Sequence, residues 1–429
     1  MEKIDAVVVG GGLAGLAAAY RLCESGRQVI LLERGDTPGS KNVTGGRIYV
    51  EPIRPYLPEI LEKAPFERHV VKEMLYLLDG KGSLLIEHAS ERWQQEPYMS
   101  YTVLRAKFDA WFGERVAEKG CFVIPKRRVD DLLWEDGRVA GVRSGGEDIP
   151  AHLVIAADGA LSFMAEKAHL RGRRQPEDYA VAMKEVYELD PKSIEERFGL
   201  APGEGAACLF VGDATKGMFG GGFLYTNEES LSVGLVIGIG ALVEKGGAAE
   251  SHRVMEEFVA RPEVQRWVGG GKLKEYSSHV IPEAGFQGVS KLSTGGMLVA
   301  GDAAGLALNL GITVRGMEFA VASGVMAAEV AEAALAKGDT SAQFLSSYEQ
   351  KLKGSFVLRD LETFRHSRRV LENPRLFTVY PRFFCELAES LFSVGSEPKP
   401  SLARTAMEKA RKYVLSWEGL KDLFSLRRM

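Results

Sequence analysis

The first 33 residues constrain the fold more than any other stretch. Residues 3–10, KIDAVVVG, form an unbroken apolar run, the pattern of a strand covered on both faces. The small-residue segment GGLAGLAAAYRLCESG is helical in composition and closes on Gly26; QVILLE then reads as a second parallel strand ending on Glu33. Within this βαβ unit, Gly10-Gly11-Gly12-Leu13-Ala14-Gly15 fits GxGxxG. A lone match is weak, because small residues also serve helix–strand packing. Between a buried strand and a helix, and about 20 residues ahead of an acid, it points to a dinucleotide site. Gly10 permits the tight turn, Gly12 lets a pyrophosphate approach the backbone, and Gly15 packs helix on strand. The helix N-terminus at Ala14 offers its partial positive charge to phosphate. Glu33 is placed to accept hydrogen bonds from ribose hydroxyls, and it would repel a 2′-phosphate, which disfavours NADP.

The motif does not choose between NAD and FAD. GGMLVAGDAAG places Gly301 and Asp302 at the end of another buried strand, ahead of a helix expected to begin near Ile312. A carboxylate there can bind a ribityl hydroxyl, which FAD has and NAD lacks, and the helix N-terminus can stabilise charge on a reduced ring. A helix-capping aspartate would look the same. VIAADGA repeats the strand-then-acid pattern at Asp158-Gly159, where an ordinary β-turn is the alternative. No second complete GxGxxG occurs, so one dinucleotide is expected.

At 429 residues the chain is too long for one simple core, and its net charge of −4 gives no basic field for nucleic acid. The four cysteines are far apart, with no metal-ligand spacing, so neither zinc nor an iron–sulfur cluster is expected on this chain, and a reducing, cytoplasmic setting is. The apolar run at 231–243 is too short and glycine-rich to span a bilayer. The pattern predicts an α/β protein: a Rossmann-like FAD-binding domain with a parallel sheet, discontinuous over 1–75, 100–170 and 281–350. An antiparallel β substrate or quinone-type lobe takes 76–99 and 171–280, where GGGFLYTNEESLSVGLVIGIG alternates. A helical, basic region covers 351–429.

With these pieces in order, the sequence resembles the FAD-binding superfamily of p-hydroxybenzoate hydroxylase-like flavoproteins. Within it, the likeness is to the FixC branch of the electron-transfer flavoprotein–quinone oxidoreductases. It rests on GGGLAG, Glu33-Arg34, Asp158-Gly159 and GDAAG. More specific are GSKNVTGG, YTVLRAKFDAWF, LFVGDATKG, GGGFLYTNEESLSVG and GDAAGLALNLGITVRGMEFAVASG. The resemblance covers nearly the whole chain. It implies that GSKNVTGG lies along the flavin, with Gly45 and Gly46 permitting close backbone approach. It places Arg105 near the FAD phosphates and ribityl chain, and the turn with Gly311, Thr313 and Val314 at the flavin N1–O2 edge. Full-length mitochondrial-type relatives carry a ferredoxin-like extension with a four-iron cluster, and this sequence lacks those cysteines. The FixC arrangement implies electron-transfer flavoprotein α and β subunits and a separate ferredoxin-like iron–sulfur subunit as partners, quinone as acceptor, and bifurcation of NADH electrons. Other functions of the same fold remain: an aromatic-ring monooxygenase, a geranylgeranyl-type reductase, or a non-catalytic FAD relay.

Residues 351–429 carry 16 Lys and Arg against 9 Asp and Glu, while the rest carries 38 against 49. Either the aromatics of this arm pack on the FAD domain with cations in water, or the arm docks on an acidic partner or, peripherally, on the inner face of the cytoplasmic membrane. Arg365, Arg368, Arg369, Arg375 and Arg382 are the cations singled out for docking.

Overall fold

The structure, a computed structural model, describes residues 3–41, 46–172, 175–246 and 250–427. The strand Ile4–Val9 lies at the centre of a parallel sheet, between Val29–Leu32 and Glu147–Ala156. Val8 pairs with Leu31 on one side and Ile155 on the other, and all three are fully buried. Phe122–Ile124 extends the sheet beyond Val29–Leu32, and Met297–Val299 extends it beyond Glu147–Ala156. The hairpin Val129–Glu135/Arg138–Ser144 turns at Asp136-Gly137, both with positive φ, and pairs with the start of Glu147–Ala156.

One face of this sheet is covered by the helices Leu13–Glu24 and Met317–Lys337, which cross with their backbones in close approach. A Cβ on Gly324 would stand 2.2 Å from the Ala14 carbonyl oxygen, so only glycine lets the two helices meet there. Met317–Lys337 is long and apolar enough to cross a membrane by length and composition, but 67% of its apolar window is buried in the fold. It starts at Met317, not near Ile312 as the sequence pattern predicts. Leu308–Asn309 and Val314–Arg315 first pair as a short hairpin, with Gly311 at φ +81° in its turn, so residues 314–315 are in a strand and not in the helix.

Among the described residues the second sheet has nine strands, in the order Lys272–Pro282, Tyr179–Glu188, Ser230–Gly238, Gly220–Thr226, Glu204–Gly212, His69–Leu78, Ser100–Thr102, Arg47–Tyr49, with Ser83–Ala89 beside His69–Leu78. Its pairings there are antiparallel except one: Glu204–Gly212 runs parallel to His69–Leu78, with Cys208 opposite Met74. The strand His69–Leu78 passes unbroken through residue 75, where the sequence reading ends the first FAD segment. A separate core forms beneath the second sheet, where Ile194, Phe198, Phe258 and Trp267 from the helices Pro191–Phe198, Ser251–Val259 and Pro262–Val268 pack on Leu224, Val233 and Leu235.

The C-terminal aromatics pack on this second sheet. The helix Arg375–Phe392 lies against Glu204–Gly212 and His69–Leu78, with Phe377 buried 6.0 Å from the Phe219 ring. Two of the five singled-out arginines are internal ties. Arg368 pairs with Asp178 at 3.0 Å, and Arg375 pairs with Asp422 at 2.7 Å while donating to the Tyr413 carbonyl. Arg365, Arg369 and Arg382 are exposed and make no ion pair among the described residues.

Candidate functional site

Between the two sheets lies a cavity of about 1010 Å³, at the upper end of the ~300–1,000 Å³ range of ligand sites. Its first end is built by the glycine turn. Gly10 takes φ +105°, and a Cβ on it would fall 2.3 Å from the Ala157 carbonyl oxygen. Gly12 is the extended residue just before the helix, and with Gly10 and Ala14 it lines the cavity. Gly15 stands behind the wall; a Cβ there would be 1.9 Å from the Gly10 oxygen, so its role in the structure is packing. Glu33 is buried beside the turn. Its carboxylate accepts from the N–H of Gly11 at 2.7 Å and from that of Gly35. A carboxylate offers about four acceptor positions, so capacity remains on the cavity side. Arg34, also on the wall, is exposed.

Further along, Arg105 opens the helix Arg105–Glu118 and is held in a bidentate pair by Asp109, at 2.8 and 2.7 Å. Burial works against its charge, but Asp109, with help from Asp302, outweighs it and raises its pKa. The pair is not a surface salt bridge but is buried, on the cavity wall. Asp302 sits in the turn Gly301–Ala304, behind which Gly301 packs on Ala14. Burial pushes the Asp302 carboxyl up to about 6, against the pull of Arg105, and no donor among the described residues hydrogen-bonds it. Asp158 also lines the cavity while closing its own turn, accepting from Ser162 Oγ at 3.2 Å and Met164 N at 3.0 Å. Gly159, at φ +81°, would point a Cβ into open space. Gly311, Thr313 and Val314 form the far rim. Gly46 lies under the Tyr225 ring, where a Cβ would come within 1.7 Å of a ring carbon; Gly45 lies outside the described residues.

Beyond these residues the cavity runs on as an apolar arm over the second sheet, lined by Leu75, Leu77, Leu209, Val211, Phe219 and Phe377. Alternation in the strands marks a half-buried sheet but does not say which face meets a cavity, and Phe377 arrives from the C-terminal arm. Two titratable groups on this wall escape the motif reading. His279 is pushed down by burial and by the charges of Arg34 and Arg105. Glu283, buried, is pushed up to about 7 by burial, opposed by the Asn309 hydrogen bond and the Arg368 charge. Glu283 follows the end of Lys272–Pro282, a strand of the antiparallel sheet, a placement too common in sequence to have marked it.

FAD fits this cavity on the structure's own terms. A glycine turn and helix N-terminus suited to pyrophosphate share one wall with Glu33 and with the half-buried Asp302 carboxylate, which lacks a donor among the described residues, and such a group is costly unless a ligand hydroxyl reaches it. The fold and the site together define an FAD-dependent oxidoreductase. Residues 5–218 match the FAD dependent oxidoreductase family. The same fold occurs in a geranylgeranyl bacteriochlorophyll reductase-like protein of Thermoplasma acidophilum (TM-score 0.72, 22% identity, 99% of this chain and 100% of that one). It also occurs in a variant of the halogenase PltM in complex with FAD (TM-score 0.63, 14% identity, 91% and 81%). Residues 368–429 match the ETF-QO/FixC family C-terminal domain. The chain is 42% identical to protein FixC of Salmonella typhi, over 98% of this chain and 99% of that one. It is 39% identical to the probable electron transfer flavoprotein-quinone oxidoreductase YdiS of Escherichia coli K12, over 96% and 95%. The chain therefore belongs to the FixC/electron-transfer flavoprotein–quinone oxidoreductase family.

Proposed function

We propose that the protein accepts electrons from an electron-transfer flavoprotein, directly or through a ferredoxin-like iron–sulfur subunit, and passes them to a quinone. It works in a complex with electron-transfer flavoprotein α and β subunits and that iron–sulfur subunit, forming the quinone branch of an electron-bifurcating assembly. The observation that carries this reading is the apolar arm continuous with the dinucleotide end of the cavity, which suits an apolar acceptor better than a charged one. FAD bound there supplies the electron-transfer chemistry. In this reading Gly10, Gly12 and Ala14 receive the pyrophosphate, Glu33 and Arg34 flank the adenosine, and Asp302 and Arg105 hold the ribityl chain. Asp158-Gly159, Gly46 and the Gly311–Val314 rim bound the ring. The location is cytoplasmic, peripheral on the inner face of the membrane. Trp417, Leu420 and Phe424, one face of the helix Trp417–Leu426, are 72%, 45% and 67% exposed beside Lys421, a fit to a surface contact.

The test is anaerobic mixing of the FAD-loaded protein with reduced electron-transfer flavoprotein, following flavin bleaching and then its recovery on adding a soluble quinone. Turnover of quinone supports the reading. Rapid bleaching by NADPH alone, with no quinone turnover, would move the assignment to a monooxygenase or a prenyl-type reductase.

A further inference from the structure

We infer that Glu283, resting on the quinone reading above, is the proton donor to the quinone as it is reduced. Glu283 follows the strand Lys272–Pro282, and its own N–H is fixed to the Asp178 carbonyl at 2.8 Å. Its side chain is 7% exposed and lies on the cavity wall, with Ile281, Leu310 and Leu371 among the apolar lining. Asn309 Nδ2 faces both carboxyl oxygens, at 3.2 and 3.4 Å. The orientation of that amide is set, because Asn309 Oδ1 accepts from the Gly311 N–H at 2.8 Å. Asn309 thus presents a donor to Glu283, so the proton of the neutral acid is not consumed by this contact. The Gly311 turn so tied belongs to the rim assigned to the flavin edge, so the carboxyl sits beside that rim on the wall of the same cavity as the apolar arm.

Reducing a quinone to a quinol takes two electrons and two protons. Both electrons come from reduced FAD, which can give up one proton with them. The second proton leaves the Glu283 carboxyl, forming the O–H bond of a quinol oxygen, and the carboxylate left behind regains a proton from solvent. Among the described residues, the charged group facing Glu283 is Arg368, itself paired with Asp178 at 3.0 Å and Glu372 at 2.9 Å; the Asp178 carboxylate also accepts from the Gln175 N–H. Burial outweighs Arg368 and raises the Glu283 carboxyl to about 7, so about half of the donor is protonated at neutral pH and more below it. A purely structural Glu283, anchoring the hairpin through Asn309, is the competing account.

Glu283→Gln keeps the side-chain shape and an oxygen for Asn309, and Glu283→Asp keeps the acid. In the FAD-loaded protein, infrared difference spectra across pH should show a protonated-carboxyl band that titrates near pH 7 and is missing in Glu283→Gln. After anaerobic photoreduction, reoxidation is timed with a soluble quinone analogue and with ferricyanide, which takes electrons without protons. The quinone rate relative to the ferricyanide rate should fall on the order of 100-fold in Glu283→Gln. Its decline above pH 7 should vanish, and Glu283→Asp should recover part of the rate. An unchanged ratio with the wild-type pH profile overturns the inference and leaves the quinone reading standing. An equal slowing with both acceptors also overturns it, in favour of the structural account. Wild-type protein that reoxidises with ferricyanide but with no quinone overturns the quinone reading and this inference with it.

Discussion

Replacing Asp302 with asparagine should make the FAD-free protein more stable and weaken its hold on FAD. The carboxyl ordinarily titrates at 3.8, and burial, against the pull of Arg105, holds it at about 6 in the fold. That difference corresponds to about 3 kcal/mol of destabilisation once the group is charged. Because the folded value is the raised one, the stability contribution of Asp302 is present below the unfolded value and is lost as pH rises through 6. The amide of the Asp302→Asn variant carries no charge at any pH, and Arg105 keeps its bidentate partner Asp109. For 429 residues the unfolding entropy is about 0.9 kcal/mol/K, so the gain appears as a rise in Tm of about 3 °C. The assay is thermal unfolding of the apoprotein, wild type and variant, at steps from pH 4 to pH 8. The two curves should converge near pH 4 and separate above pH 6, with the variant the more stable. Gel-filtered variant should meanwhile retain less flavin. Parallel curves across the whole range would refute the argument, since they would mean that Asp302 is not a buried charge in the fold.

Glu33→Gln removes one of two acceptors for the Gly11 and Gly35 N–H groups; it should cost about 1–3 kcal/mol in apoprotein stability and lower flavin content in absorbance spectra. Gly46→Ala should cost about 1–3 kcal/mol by driving a methyl into the Tyr225 ring, and the added change Tyr225→Leu should recover part of that in urea melts. Neutralising Arg365, Arg369 and Arg382 together should leave the flavin spectrum and Tm unchanged while reducing co-sedimentation with anionic liposomes or partner subunits. Arg375→Ala should instead lower stability by about 1–3 kcal/mol, because it breaks the ties to Asp422 and Tyr413.

The parallel sheet was legible because strands covered on both faces leave unbroken apolar runs, as in residues 4–9 and 29–32. The glycine turn was legible because positive φ and close backbone approach admit no other residue at Gly10. The start of the helix Met317–Lys337 was misplaced by five residues. Periodicity runs through ITVRG, and nothing local reveals that Val314 pairs back on Asn309. The parallel pairing of Glu204–Gly212 with His69–Leu78 joins strands 126 residues or more apart, beyond the reach of any local pattern. Arg368 and Arg375 looked like surface cations because their partners, Asp178 and Asp422, are remote in sequence. Glu283 was overlooked because a single acid after a strand is common, and only the fold shows that it is buried against a cavity.

The crossing of Gly324 on Ala14 bears on how the protein is made. The βαβ unit leaves the ribosome first, yet its sheet edge is completed by Met297–Val299 and its helix is covered by Met317–Lys337. Roughly 260–300 residues separate these pieces from Val29–Leu32. At roughly 5–20 residues per second, the nascent chain carries a half-built nucleotide domain for roughly 15–60 seconds. Once Glu147–Ala156 has emerged and paired with Ile4–Val9, it presents an open apolar edge until Met297–Val299 arrives, and throughout the interval the glycine turn has no second helix to brace it. Cofactor loading is therefore a late event in biogenesis. A ribosome stalled short of residue 337 would display a chain unable to hold its flavin, and the time before that point is when chaperone protection matters most.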